Sequence, residues 1–558
     1  MQTLGKKGLF DGKIFDSRIK SANVQKSERW LGFFASPALI YIAYFCVSGT
    51  YLNLFYVDVL KLGGLAGGVF LTLLPILSKI VDAITNLVMG QIIDRTKSRQ
   101  GKARPWLLIS APLIAITGIL LYAVPDASPT VQAIWVAVSY NLFFAFAFTI
   151  YNMSQSLLVP LSTRNTKQRD GNATFLSMGQ SMLPGALVYM VFPMLVLPYV
   201  GVDKSRWVMI MSILSTVILP GILLQYYFTK ERVTEEGIGE KQQVVGLWKQ
   251  ITTCFKDKYW LIYFLIIFIY WMQQNIYSSS MVFYSNWVLG KYNDGITQTL
   301  INAIGQAPLG LGVFLMWPLV KKLGKRKVMF GGFLLAAVTS LPILFMPKNL
   351  GIVLGALFIR SFGLLPTYLF AAMMAEAMDH IEWKNGYRCD GFTATMNSVI
   401  LTITGGVATG IFNSGLGMAG YVAPGDGMPL EEVQAFVQPD AVQNYFIAGF
   451  VLIPIIGYVI MAVLAFFFRV EDKIPQIVAD ITARHKAEAK ARGEVYLSPE
   501  EKAAMEQEEN DRIAEENRIR ELKAKCERKG LSFEDEEAKY QKKLSDARAK
   551  EEAKRAKK

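Results

Sequence analysis

The stretch Leu62–Trp106, LGGLAGGVFLTLLPILSKIVDAITNLVMGQIIDRTKSRQGKARPW, decides how this chain folds. From Leu62 to Ser78 it carries no charge; Lys79 and Asp82 then interrupt it, and Arg95, Lys97, Arg99, Lys102 and Arg104 close it. An uncharged run ending in a basic loop is the pattern of a helix that crosses a bilayer toward the side where lysine and arginine collect. The lysine and the aspartate stand inside that crossing and need a reason to be there.

The rest of the chain repeats the pattern. Its 558 residues are 52% hydrophobic, with a mean hydropathy of +0.30. Segments without Asp, Glu, Lys or Arg cover 30–57, 62–78, 105–125, 127–163, 171–202, 207–229, 259–290, 295–320, 328–347, 349–375 (interrupted by Arg360), 391–425 and 441–468. Most exceed the roughly 20 residues that a helix needs to cross the hydrocarbon. Lipid offers no partner to backbone N–H and C=O groups, so runs of this length are helices. The expectation is an all-α membrane protein with twelve transmembrane helices.

A charged segment, 229–258, separates six spans from six. The expected organisation is therefore a cytoplasmic segment 1–29, a six-helix bundle 30–228, a linker 229–258, a second six-helix bundle 259–469 and a charged tail 470–558. A trace of a repeat supports the halves: GQIIDRTKSRQGKARPW at 90–106 and PLVKKLGKRKVMFGG at 318–332 both end a span in a basic cluster around Gly-Lys. Basic loops at 94–104, 164–169 and 321–327 alternate with loops poor in lysine and arginine, which places both termini in the cytoplasm. The net charge of +13 reflects that topology, and no basic patch on a soluble fold points to nucleic acid.

Cys46, Cys254, Cys389 and Cys526 imply no disulfide framework. His380 and His485 are the chain's histidines, and both are expected outside the spans, which leaves a membrane-embedded enzyme without a base or a metal cluster. The expectation is no enzyme, no metal and no cofactor. In the tail, Ser498-Pro499-Glu500-Glu501 reads as a helix start with Ser498 as N-cap. Apolar residues are too sparse there for a coiled coil, so the tail is a solvated or partly disordered extension or a site for a cytoplasmic partner.

A charge at the bilayer centre is costly, so Lys79 and Asp82 face the protein interior or a water-filled cavity. Three residues apart, they share a helical face. Asp82 lies twelve residues before Asp94, or roughly 18 Å from the basic loop, near the midplane. They are either an ion pair that joins helices or a carboxylate coupled to a cation or proton. Two spans add polar clusters at similar depth: IYWMQQNIYSSSMVFYSNW with Trp271, Gln274 and Asn275, and FTIYNMSQSLLVP with Thr149, Tyr151, Asn152 and Gln155. Amides, hydroxyls and aromatic faces together suit a neutral polyhydroxylated ligand, the alternative being hydrogen bonds between helices.

The segments DAITNLVMGQIIDRTKSRQGKARPW, YNMSQSLLVPLSTRNTKQRDGN and MAEAMDHIEWKNGYRCDG (374–391) resemble the glycoside-pentoside-hexuronide:cation symporter family, of the melibiose permease type, within the major facilitator superfamily. The likeness covers about residues 30–470. It implies the major facilitator fold and uptake of a sugar or glycoside with H⁺ or Na⁺ as co-substrate. It also implies a cation site at Asp82, Lys79, Thr85, Asn86 and Thr149, with Asn86 where the melibiose permease type has a second aspartate. Asn152 replaces a sugar-holding aspartate and Ser156 a stacking tryptophan, no arginine lies between Arg169 and Arg206, and no lysine lies in 391–425. With one carboxylate fewer, proton coupling through Asp82, or uncoupled transport, gains on Na⁺ coupling.

The expected ligand residues are Asn152, Tyr151, Gln155, Trp271, Gln274 and Asn275. Asp94, Arg95, Arg104, Arg169, Glu382, Arg388 and Asp390 are expected to form ion pairs that close the cytoplasmic side in the outward-facing state, against a reading in which they only set topology. A lipid or lysolipid carrier on the same fold, another small-molecule carrier, or a transporter-shaped sensor signalling through the tail are the alternatives.

Overall fold

A computed structural model describes residues 15–62, 69–233 without 97 and 99, 246–292, 295–424, 430–491 and 493–555 without 494 and 497. The linker expected at 229–258 therefore lies in part outside the described residues. The apolar runs fold into helices: α1 (Glu28–Val59), α2 (Val69–Arg95), α3 (Arg104–Tyr122), α4 (Pro129–Ser162), α5 (166–195), α6 (Lys204–Tyr227), α7 (258–289), α8 (Ile296–Leu323), α9 (Lys325–Phe345), α10 (Leu350–Asn385), α11 (Asp390–Ala419) and α12 (440–467). Among the described residues, nine of these stretches are long and apolar enough to cross a membrane by length and composition. The other three, α5, α7 and α8, occupy the remaining expected spans, and α7 dilutes its apolar content with Gln273, Gln274, Asn275 and Ser278 to Ser280.

The two halves repeat one packing plan. In the first, α1 and α3 lie against α6; in the second, α7 and α9 lie against α12. The halves meet along α2 and α11 and along α5 and α8. One end of the bundle, the tail side, carries Ser17 to Asn23 and the tail; the opposite end is called the far side.

The α2–α11 approach is close because α11 has glycine where α2 presents backbone. A Cβ on Gly406 would stand 2.8 Å from Lys79 Cγ and 2.9 Å from the Pro75 carbonyl oxygen; on Gly410 it would stand 2.5 Å from the Thr72 carbonyl oxygen. Small residues four apart let two helices in a membrane touch through their backbones.

Helix α10 outruns its apolar sequence. It continues past Ala375 to Asn385 and buries Glu376 and His380, so His380 sits on a span's helical extension rather than in a loop. Lys325 pairs with Glu376, and His380 Nδ1 is 2.6 Å from Asp257 Oδ2. Asp257 also caps α7, accepting from the N–H groups of Tyr259 (3.0 Å) and Trp260 (3.1 Å). Burial pushes the Asp257 carboxyl up, but the His380 hydrogen bond and those N–H groups outweigh it and hold the group below its ordinary value. Its contribution to stability is present above that value and lost as pH falls through the lower folded one.

The tail is ordered helix: α13 (Ile474–Ala491), α14 (Pro499–Lys529) and α15 (Phe533–Arg555). The expected start is present, with Ser498 and Glu501 forming a reciprocal capping box. Rather than standing free, α13 docks on α10, where Trp383 Nε1 donates to Asp480 (2.8 Å) and Arg484 donates to the Glu382 carbonyl (3.1 Å). Helix α14 reaches the first half: Lys167 pairs with Asp511 (2.7 Å), and Ser21 Oγ donates to Glu521 (2.8 Å). Acidic tail side chains thus meet donors in the basic loop 164–169 and the N-terminal segment.

Glycine substitutions test the seam. Gly410→Ala is expected to lower stability by about 1–3 kcal/mol through overpacking, whereas Gly355→Ala, with nothing within 4 Å of the new Cβ, raises it by up to about 1 kcal/mol through helix propensity. Thermal unfolding in detergent reads both signs; equal shifts would remove the close approach as a constraint.

Candidate substrate and cation site

The carboxylate that opened the question is held by two helices. Asp82 is half-buried on α2, with Lys79 Nζ 3.5 Å from its Oδ2. Its Oδ1 accepts from Thr149 Oγ1 on α4 (2.8 Å) and from Asn86 Nδ2 one turn on (2.9 Å). Immediately before Thr149, α4 is wound as a π-helix over Leu142–Phe148, a local widening that recurs at functional positions in helices. Four of the five residues expected at the cation site therefore meet. The fifth, Thr85, turns its hydroxyl back onto the carbonyls of Val81 (3.1 Å) and Asp82 (3.0 Å).

A cavity of about 370 Å³ lies between the halves, walled by α1, α2, α4, α7 and α11. Its polar lining consists of amides (Asn53, Asn275, Asn413), hydroxyls (Ser48, Ser278, Ser279, Thr409) and the tyrosines Tyr44, Tyr56 and Tyr140. The volume is that of a small-molecule site. Pro75 also lines it, which puts Asp82 seven residues, or roughly 10 Å, farther along α2 toward the tail side. Lys79 stands between the two, its Cγ against Gly406, next to the cavity-lining Gly405.

The expected ligand residues divide. Asn275 lines the cavity, and its amide donates to the Trp271 carbonyl (2.7 Å). Trp271 and Gln274 lie beside it on α7, half-buried, and Asn152 is exposed one turn beyond Thr149. Tyr151 and Gln155 point into the first half instead: Tyr151 donates to Gln225 (3.3 Å), and Gln155 accepts from Tyr41 (3.1 Å) and Gln180 (2.9 Å).

On the tail side the charged residues form a separate cluster in each half. Arg104 is buried, donating to Gln100 (2.9 Å) and the Tyr226 carbonyl (2.9 Å), while Glu231 accepts from the Arg104 N–H (2.8 Å). In the second half Arg388 pairs with Asp379 (2.5 Å), Glu382 (3.2 Å) and Asp390 (2.8 Å). Burial pushes the Arg388 guanidinium down, but the Asp390 and Asp379 carboxylates outweigh it and hold its pKa above the ordinary value. Arg95 and Arg169 are exposed, and the Asp94 side chain lies outside the described residues.

Contacts that join the halves include a set absent from the expectations. Asn53 and Asn413 exchange amide hydrogen bonds, 3.0 Å each way, and Asn413 also donates to the Leu71 carbonyl (3.0 Å). At the far end of α1, the Asp58 carboxylate is fully buried and accepts from Tyr292 (2.7 Å) and Tyr421 (2.8 Å), both of the second half. Asp58 closes the first uncharged run in the sequence, which was the one available signal. In the second half, buried Arg360 lies 4.5 Å from the Tyr277 ring centre, so the charge that interrupts 349–375 rests on an aromatic face.

Paired helical halves with a polar cavity between them, set beside a half-buried carboxylate, define a membrane transporter. The chain belongs to the family described as MFS/sugar transport protein, whose model matches residues 33–472. It is similar to the isoprimeverose transporter of Lactiplantibacillus pentosus, 26% identical over 80% of this chain and 89% of that one. It is also similar to the raffinose carrier protein of Pediococcus pentosaceus, 23% identical over 61% of this chain and 54% of that one. A third relative is the glucuronide carrier protein homolog of Escherichia coli (strain K12), 22% identical over 80% and 93%. Among solved structures, an inward-facing, unoccupied bacterial homolog of the human lysosomal transporter Spinster superposes with a TM-score of 0.52 at 14% identity, covering 81% of this chain and 97% of its own; it shares the fold. The resemblance to the glycoside-pentoside-hexuronide:cation symporters is borne out, and the protein is a multi-pass membrane transporter of small molecules, not an enzyme.

The Lys79–Asp82 pair is only partly covered by protein, with 26% and 15% of the side chains accessible. Lys79→Met is therefore expected to cost under about 1 kcal/mol of stability, a small shift in thermal unfolding. A loss several times larger would make the lysine a structural strut.

Proposed function

We propose that the protein imports a neutral sugar or glycoside by cation symport, and that the cation is a proton carried by Asp82. The observation that carries this is the placement of one half-buried carboxylate, held by Lys79, Asn86 and Thr149, roughly 10 Å along α2 from the lining of a neutral, amide- and hydroxyl-rich cavity. The names of the relatives, an isoprimeverose transporter, a raffinose carrier protein and a glucuronide carrier protein homolog, support a sugar. Among the described lining residues there is no charged side chain, which favours a neutral glycoside over a hexuronide.

The charge arithmetic favours H⁺. A sodium ion at Asp82 meets one carboxylate, a neighbouring ammonium and neutral Asn86 and Thr149. A proton needs one oxygen, and once it binds, Lys79 loses its countercharge and is free to reorient beside Gly406 and the cavity. Protonation is thereby linked to the side chain nearest both sites.

The cycle is alternating access, with the halves rocking about the cavity. The tail side is the cytoplasm, in keeping with its basic loops. When the halves swing to close that side, Asp94, Arg95, Arg104 and Arg169 of one half approach Glu382, Arg388 and Asp390 of the other, and their exchange of partners biases the switch. A cytoplasmic partner for the tail has to compete with the Asp511 and Glu521 contacts already made inside the chain.

The test is uptake of radiolabelled neutral glycosides into proteoliposomes with an imposed proton gradient. Asp82→Asn is expected to abolish accumulation while retaining exchange of internal for external sugar at equal concentration; accumulation that survives the substitution would move coupling elsewhere. In the same assay Thr149→Val is expected to weaken proton-driven uptake about tenfold or more, the value of one hydrogen bond to a charged group.

A further inference from the structure

A second cavity, of about 120 Å³, lies on the far side of the central one, lined by Val57, Lys61, Leu416, Gly417, Tyr421 and Asn413. Asn413 is a wall of both cavities, and Asn53, its hydrogen-bonded partner, lines the larger. The two cavities therefore succeed each other along the α1–α11 seam, with the reciprocal Asn53–Asn413 amide pair at the point where they adjoin. Beside the smaller one sits the Asp58 carboxylate with its two tyrosine donors, and Trp287 Nε1 donates to the Tyr421 hydroxyl (3.1 Å), fixing that ring.

We propose that this seam is the outer access route of the substrate, and that it is shut in two layers: a thin gate of Asn53 and Asn413, and a thicker clasp of Asp58 with Tyr292 and Tyr421. Each layer is built from one residue of the first half and partners from the second, so rocking the halves apart at the far side breaks both. The chemistry suits the cargo. A primary amide pair held by two neutral hydrogen bonds exchanges readily for sugar hydroxyls, which offer the same donors and acceptors, so a glycoside arriving in the smaller cavity replaces the contacts it breaks. The clasp differs: a fully buried carboxyl group holds a phenolic hydroxyl at each oxygen, so opening it parts two bonds and three side chains at once. The substrate's class rests on the transport reading above; the position of the gate does not.

The experiment reads accessibility rather than uptake. In full-length protein with the native cysteines replaced by alanine, Ser279→Cys places a thiol on the central cavity wall, and a membrane-impermeant maleimide is added to sealed vesicles. Protease access to the tail marks which face is outward, so the result is independent of the orientation assigned above. From the face opposite the tail, labelling is expected to rise about tenfold in Asn413→Ala over the parent, which is about 1.4 kcal/mol. Asn53→Ala is expected to give a similar rise, and Tyr421→Phe adds to either one. Parent, Asn413→Ala and Asn53→Ala proteins with the same unfolding temperature but unchanged far-side labelling would overturn the proposal, as would a rise confined to the tail side. Failure of every glycoside tested for uptake, with the labelling result intact, would count against the sugar and leave the gate standing.

Discussion

Two helices from opposite halves touch backbone to backbone where α11 carries Gly406 and Gly410, and the rest of the arrangement follows from that contact. It sets α11 against the Thr72–Lys79 stretch of α2, so Lys79 Cγ lies against Gly406 while its Nζ reaches Asp82. The same approach brings Asn413 within reach of Asn53 and of the Leu71 carbonyl, and it bounds the central cavity on one side. A bulkier residue at either glycine would separate the halves along the seam that a carrier must open and close in every cycle.

The polar groups inside the bundle are graded. The cavity wall is neutral; the charged groups stand away from it, Asp82 with Lys79 toward the tail side and Asp58 with its tyrosines toward the far side. Keeping formal charge off the wall lets a hydroxylated ligand bind through amides and phenols without desolvating an ion, whose burial carries a far larger penalty than that of a hydroxyl. Asn86 is the clearest mark of this design, holding Asp82 Oδ1 where the melibiose permease type has a second carboxylate. One negative charge beside one positive charge is the centre on which the proposed proton coupling rests.

How much of this was legible before the structure depends on the range of the interaction. Charge-free runs set the spans because backbone hydrogen bonding in lipid leaves no other choice, and Lys79 with Asp82 was visible because two charges in such a run are anomalous locally. Thr149 is 67 residues from Asp82, and its place came from family likeness rather than from any local pattern. Asn53 and Asn413 are 360 apart, and Asp58 and Tyr421 are 363 apart; an asparagine in a span reads as helix glue and a tyrosine in a loop as an interface residue, so neither partner announces the other. Tyr151 and Gln155 were grouped with Asn152 by sequence proximity, yet they share a face that turns into the first half, while Asn152 follows Thr149. The run of charge after 375 hid nearly three more turns of α10, because Lys325 and Asp257, the partners of Glu376 and His380, come from other segments of the chain. The tail's acidic surface read as solvated for the same reason: its donors lie in a distant loop and at the opposite end of the chain.

The account stands on two rigid halves that exchange which side is sealed. Spin labels at the exposed positions Asp126 and Lys348 on the far side, and at Arg164 and Lys384 on the tail side, report both mouths by pulsed electron spectroscopy. Addition of a transported glycoside at low pH is expected to move the two distance distributions in opposite senses, the far pair lengthening as the tail-side pair shortens. Far-side and tail-side distances that both stay fixed while uptake proceeds would contradict it.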